Sequence, residues 1–121
     1  NEENYKNNNW LDFNSKSIPE IISKNEVVFL DITADWCITC KFNKINVLNS
    51  ETISNFFDSQ EVILIKADWT QPNKKITEFL KKYNKFGIPF NAFYSTKYPD
   101  GIVMNEILTE KQIFETYNKV K

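Results

Sequence analysis

Cys37 and Cys40 are the only cysteines in a chain of 121 residues, and Ile38-Thr39 alone separates them. Two sulfurs at that spacing can close a small disulfide ring within one turn of helix. Such a ring supports exchange in two steps: Cys37 forms a mixed disulfide with a partner, and Cys40 then resolves it. The reactive species is the thiolate, which unpaired N–H groups and the positive end of a helix dipole favour. Two other readings fit a cysteine pair. A zinc half-site would need carboxylates or a second molecule, because the chain has no His and no second pair. A purely structural bridge would close a loop of only two intervening residues.

The pair needs an element on each side to hold it. Upstream, Val27-Val28-Phe29-Leu30-Asp31-Ile32 is an apolar run broken by one acid, too short for a helix and rich in β-branched and aromatic residues. It reads as a buried strand over 26–34. Downstream, Phe42, Ile45, Leu48 and Asn49 continue at helical spacing to about Leu48, without Gly or Pro. The cysteines therefore fall where a central strand hands over to a helix, in that helix's first turn. Asp31 stands in the middle of the strand, where burial makes a charged carboxylate costly and raises its pKa; a solvated acid at an edge is the alternative.

The segment Leu30-Asp31-Ile32-Thr33-Ala34-Asp35-Trp36-Cys37-Ile38-Thr39-Cys40-Lys41 resembles the active-site segment of the thioredoxin superfamily. More narrowly it is similar to the C-terminal thioredoxin-like domain of the DsbD/ScsB thiol:disulfide interchange family. Lys66-Ala67-Asp68-Trp69-Thr70 and Gly87-Ile88-Pro89-Phe90-Asn91 extend the likeness in the same order, so that it covers roughly residues 26 to 120. The resemblance implies that Cys37 is the nucleophile, Cys40 the resolving thiol and Asp31 the base that takes the proton from Cys40. Nothing charged lies between the sulfurs, so extreme stabilisation of the Cys37 thiolate is not expected.

Pro89 on its own would be read as a trans proline at the start of a strand. The resemblance implies instead a cis Ile88-Pro89 bond beside the cysteines, with the Ile88 backbone pairing to an extended partner segment. Trp36 and Ile38 flank Cys37 as candidate partner contacts, with Trp36 also expected to shield the sulfurs; a merely structural core Trp36 is the lesser alternative. Lys66 matches a family lysine near the buried acid, and with Asp35 it is a candidate for tuning pKa values; a solvated strand-end lysine is the plainer reading. Three departures stand out. Lys44 occupies a position where the DsbD domain carries an acid, Phe90 replaces the Thr common after the proline, and the active-site helix lacks a proline to kink it.

Composition narrows the remaining options. A chain of this length fits one domain, expected over 10–121 behind a polar tail or linker at 1–9. The start Asn1-Glu2-Glu3-Asn4 has no basic-then-apolar leader, so a mature protein and an excised domain both remain open. A net charge of -1 gives no electrostatic case for nucleic acid or an anionic membrane. The fifteen basic residues are all Lys, and the two glycines form no phosphate-binding loop. The absence of His excludes Cys-His and Ser-His pairs. No run approaches the ~20 apolar residues that span a bilayer.

Read in order, the chain gives an edge strand at Trp10–Phe13, a helix capped by Ser17 and reaching about Lys24, and then the 26–34 strand. After the active-site helix come a short helix from Ser50, a strand over 62–67, and a helix over 73–85. A strand over Phe90–Ser95, a Tyr98–Gly101 turn, an antiparallel strand over Ile102–Leu108 and a helix capped by Thr109 complete it. This is an α/β architecture, and the resemblance makes it a thioredoxin fold, a mixed sheet between helices with an N-terminal β-α extension.

The implied function is a thiol–disulfide oxidoreductase acting as an electron relay, with no cofactor beyond its own disulfide. It would be the periplasmic C-terminal domain of a membrane-tethered reductase, recharged by a transmembrane dithiol and serving periplasmic redox domains by mixed disulfide. A free-standing cytoplasmic or secreted thioredoxin, and a redox-inactive binding module, are the rivals. A monomer is expected.

Overall fold

The computed structural model describes residue 5 and residues 9–121. Five strands form one sheet in the order β1-β3-β2-β4-β5. They are β1 (Leu11–Asp12), β2 (Val28–Thr33), β3 (Ile63–Asp68), β4 (Phe90–Tyr94) and β5 (Ile102–Val103). β2 lies at the centre, parallel to β3 and antiparallel to β4, and every one of its residues is buried. A strand covered on both faces has no side to spare for water, which is why its sequence runs apolar without alternating.

Alternation in space sorts its side chains between two layers. Phe29 packs with Leu64, Phe93, Ile53, Phe57, Ile113 and Tyr117, residues of the sheet and of helices α3 (Glu51–Ser59) and α5 (Glu110–Val120). Leu30 and Ile32 pack with Ile65, Ala67 and Ala92 and with Ile18, Ile21, Ile76 and Leu80 from helices α1 (Ile18–Ile22) and α4 (Lys74–Lys81). Asp31 shares the Phe29 face. It is the charged residue placed in that central layer, directly in register with Lys66 on β3 and Asn91 on β4.

Local signals set the helix starts. Ser17, Ser50, Asn73 and Thr109 each accept the N–H three residues on, from Glu20, Ile53, Ile76 and Gln112. The capping box expected at Thr109 closes by half, because buried Gln112 Oε1 has no hydrogen-bond partner among the described residues.

Three expectations need correction. The active-site helix is regular only over Ile38–Asn43 (α2) and then widens into a π-helical turn over Lys44–Leu48, closed by Asn49 N–H donating to Lys44 O at 2.7 Å. The wider turn carries the apolar stripe round: Phe42 and Ile45 face solvent, while Cys40, Asn43, Lys44, Val47 and Leu48 are buried. The last strand stops at Val103 instead of Leu108. Asn43 takes the backbone groups that a strand would have paired, donating to Glu106 O at 2.8 Å and accepting from Leu108 N–H at 3.0 Å. One buried amide thereby ties the active-site helix to the loop before α5. Finally, Tyr5, within the expected tail, is partly buried and stacks on Trp10 with ring centroids 4.1 Å apart. The rest of that tail, apart from Asn9, lies outside the described residues.

Gly101 closes the turn between β4 and β5 at φ +82°, and a Cβ there would meet the Tyr94 ring at 2.6 Å. Gly101→Ala is therefore expected to destabilise the fold by about 2 kcal/mol or more, from left-handed strain and overpacking together. Denaturant unfolding measures this directly. A loss below about 0.5 kcal/mol would mean that the turn relaxes at no cost.

Candidate active site

β2 ends at Thr33, and Ala34–Trp36 lead directly to the first turn of α2. The connection is pinned from the side. Thr70, just beyond β3, accepts the Asp35 backbone N–H through Oγ1 at 2.9 Å, and its carbonyl accepts the Trp36 indole N–H at 3.1 Å. Asp68 Oδ1 holds Thr70 in turn, accepting from its backbone N–H at 2.9 Å and from its hydroxyl at 2.5 Å.

Cys37 is the N-cap of α2, and its Sγ accepts the Cys40 backbone N–H at 3.2 Å. That is the position where an anionic sulfur meets unpaired donors and the helix dipole. Cys37 and Cys40 form a disulfide with Cα atoms 5.2 Å apart. Cys37 is 6% exposed and Cys40 2%. Cys37 is thus slightly the more exposed of the two, and both residues are buried in the bonded state. The residues on either side of Cys37 are open: Trp36 is 59% exposed and Ile38 82%. A core role for Trp36 is excluded by that exposure.

Ile88 packs against Ala34, Cys37 and Cys40, and the Ile88-Pro89 bond is cis. Beside it an open groove of about 730 Å³ is lined by Gly87, Ile88, Pro89, Phe90, Asn105 and Glu106 among others. Phe86, two residues before Ile88, is 78% exposed.

Asp31 lies deep under this surface. Burial pushes its carboxyl above the usual range, and three partners hold it back: the Tyr5 hydroxyl, the Lys44 ammonium and the Asn91 amide. Asn91 Nδ2 donates to Oδ1 at 2.8 Å, and the Tyr5 hydroxyl donates to Oδ2. Lys44 is four residues beyond Cys40, on the same buried face of the helix, and its Nζ sits 4.8 Å from the Tyr5 ring centroid. The cation acting on Asp31 from the helix layer is therefore Lys44. Lys66, expected in that role, is half-buried on the neighbouring strand. Asp35 is exposed, so water screens its charge and weakens any tuning it could exert.

A family model described as thioredoxin-like matches residues 9–96, well over half of the chain. The chain belongs to the thioredoxin-like family. Curated relatives of this thioredoxin-like chain include the thiol:disulfide interchange protein DsbD of Pasteurella multocida, 26% identical over 80 residues. The DsbD of Yersinia pestis (strain Pestoides F) is 30% identical over 76 residues. The matches cover 64% and 62% of this chain, but only 14% and 12% of those proteins. Among solved structures, the C-terminal domain of Neisseria meningitidis DsbD in the oxidised form superposes with a TM-score of 0.66 at 23% identity, over 86% of this chain and 90% of that domain. A thioredoxin from Thermus thermophilus superposes with a TM-score of 0.65 at 11% identity, over 92% of this chain and 86% of that one. The mixed sheet between helices, with an N-terminal β-α extension, is thus a thioredoxin fold carrying a CxxC disulfide, an arrangement that supports thiol–disulfide exchange.

Tyr5, Asn91 and Lys44 are the site residues that the sequence did not single out as such. Asn91 carried a usable signal: it is the one polar residue in Phe90-Asn91-Ala92-Phe93-Tyr94, as Asp31 is the one acid in its own strand. Tyr5 carried none, because an aromatic residue in a polar stretch has no periodicity to read. Among the described residues no helix is long and apolar enough to cross a membrane, and no cluster of His, Cys, Asp or Glu could hold a metal ion.

Proposed function

We propose that this domain passes electron pairs between proteins by dithiol–disulfide exchange, as the periplasmic C-terminal part of a DsbD-like membrane reductase. The observation that carries the reading is Cys37 at the helix N-cap, bonded to Cys40 and packed against the cis Ile88-Pro89 segment.

The steps balance as follows. A partner thiolate attacks Cys37 Sγ, the Cys37–Cys40 bond breaks, and Cys40 leaves as a thiolate that takes a proton from Asp31. The partner's second thiolate then attacks its own sulfur in the mixed disulfide and releases Cys37. The partner ends as a disulfide, and the domain holds the electron pair as a dithiol. Discharge to a target disulfide runs the same steps backwards, with the Asp31 carboxylate taking the Cys40 proton. The exposed apolar side chains Trp36, Ile38 and Phe86 suit partner contact, and the Ile88 backbone would pair with an extended partner segment along the groove. By similarity to DsbD, the donor would be a transmembrane dithiol and the acceptors other periplasmic redox domains.

Reduction of a disulfide substrate such as insulin by dithiothreitol is expected to run faster with the domain present than with dithiothreitol alone. Equal rates would leave a thioredoxin-fold binding module whose bridge is only structural.

A further inference from the structure

Tyr5 comes from the segment before β1, far in sequence from the cysteines, yet it reaches the acid beneath them. The two carboxyl oxygens of Asp31 are taken from different sides, Oδ1 by Asn91 from β4 and Oδ2 by the Tyr5 hydroxyl. Two further contacts fix the Tyr5 ring. One face stacks on Trp10 at 4.1 Å with 21° between planes, and the Lys44 ammonium lies 4.8 Å from the ring centroid. Lys44 follows Cys40 by about one turn, so Tyr5 lies across the same helix face that carries the resolving sulfur.

An aromatic side chain needed only for packing could be Phe. A hydroxyl in this setting is costly unless bonded, and here its partner is Asp31, the one acid buried in the central layer among the described residues. The bond is also directional in its effect. A phenol donates more strongly to a carboxylate than to a carboxylic acid, so it favours the form of Asp31 that can accept a proton. The phenol itself stays protonated, because burial and the Asp31 charge raise its pKa well above the ordinary value. The other charged groups about the pair are Lys44 from the helix and Asp68 and Lys66 from β3. From β4 comes neutral Asn91, and Cys40 does not titrate while it is bonded to Cys37.

We propose that Tyr5 is a positioning residue for the exchange reaction: its hydroxyl orients the Asp31 carboxyl for proton transfer with Cys40 and shuts water away from it, which makes Tyr5 part of the active site. This rests on the role given to Asp31 above.

The test is Tyr5→Phe in the full chain, which keeps the ring, the stack on Trp10 and the contact with Lys44. Two midpoints are read: the Asp31 carboxyl, by carbon NMR of the oxidised protein, and the acid limb of the pH–rate profile for disulfide reduction. Loss of one charge-assisted hydrogen bond is expected to move both upward by about one pH unit or more. Below the new midpoint the rate would fall about tenfold per unit. Tyr5→Leu, which also removes the ring, should shift both midpoints at least as far and lower the melting temperature as well. Unmoved midpoints with a lower melting temperature would make Tyr5 a packing residue and overturn the proposal. So would an Asp31 midpoint that moves while the rate profile stays. Asp31→Asn tells the two failures apart: if that variant keeps the acid limb, the role of Asp31 falls too, and if it loses the limb, only Tyr5 is refuted.

Discussion

Cys37→Ser is expected to abolish disulfide exchange, with a fall in rate of about a thousandfold or more, while Cys40→Ser stalls with a partner attached. The asymmetry follows from position. Cys37 caps the helix, receives the Cys40 N–H at 3.2 Å, and stands between two exposed side chains. Cys40 lies one turn in and is nearly sealed. A nucleophile removed at the first position leaves no attacking sulfur, since serine's hydroxyl is a far weaker nucleophile at neutral pH. With the second position removed, attack still occurs but the mixed disulfide has no internal thiol to resolve it. Mass spectrometry of Cys40→Ser incubated with an oxidised target should therefore find an adduct of one target per domain, reversible by dithiothreitol. Such an adduct on Cys37→Ser, through Cys40, would reverse the assignment of nucleophile and resolving thiol.

The sequence displayed the reacting pair and its frame more clearly than it displayed the surroundings of the acid. β2 and β4 are fully buried runs and β3 is buried over Leu64, Ile65 and Ala67, and side-chain caps mark the starts of α1, α3, α4 and α5. The CxxC pair is a local pattern, and so is the Ile-Pro that follows it at a distance. What stayed hidden depends on contacts between remote segments. Nothing local reveals that Lys44 turns inward, because that depends on a π-helical turn that no proline or glycine announces. Phe42 and Ile45 formed an equally good apolar stripe, and the face through Cys40, Val47 and Leu48 won: Val47 and Leu48 pack in the Phe29 layer, and Cys40 packs with Ala34, Cys37 and Ile88. Lys66 is expected beside the acid by resemblance alone, yet the helix already supplies a buried cation there through Lys44. The loop at Asn105–Leu108 read as strand because apolar residues, Ile102-Val103-Met104 and Ile107-Leu108, flank its two polar ones; a single side-chain amide from Asn43 ties it down instead.

Asp31→Asn is expected to pull activity and stability in opposite directions. Burial is the largest influence on the carboxyl and raises its midpoint above the unfolded value. A group raised in this way adds stability below the unfolded midpoint and loses it as pH climbs through the folded one, because the folded state then either holds a costly charge or keeps a proton that the unfolded chain has released. Each unit of that rise is worth about 1.4 kcal/mol. The neutral amide escapes the cost and can still accept from Asn91. Asp31→Asn should therefore melt several degrees higher than the parent at pH 8 and at nearly the same temperature near pH 3. Exchange should slow by about a hundredfold, within the usual range for loss of a positioned proton-transfer group, and the loss should fall on resolution by Cys40 rather than on attack by Cys37. Rapid-quench trapping separates the two, since only a slowed second step accumulates mixed disulfide. A variant that gains stability at pH 8 but resolves at the parent rate would show Asp31 to be a buried charge with no part in proton transfer. One that loses stability at pH 8 would mean that Tyr5, Lys44 and Asn91 together outweigh burial.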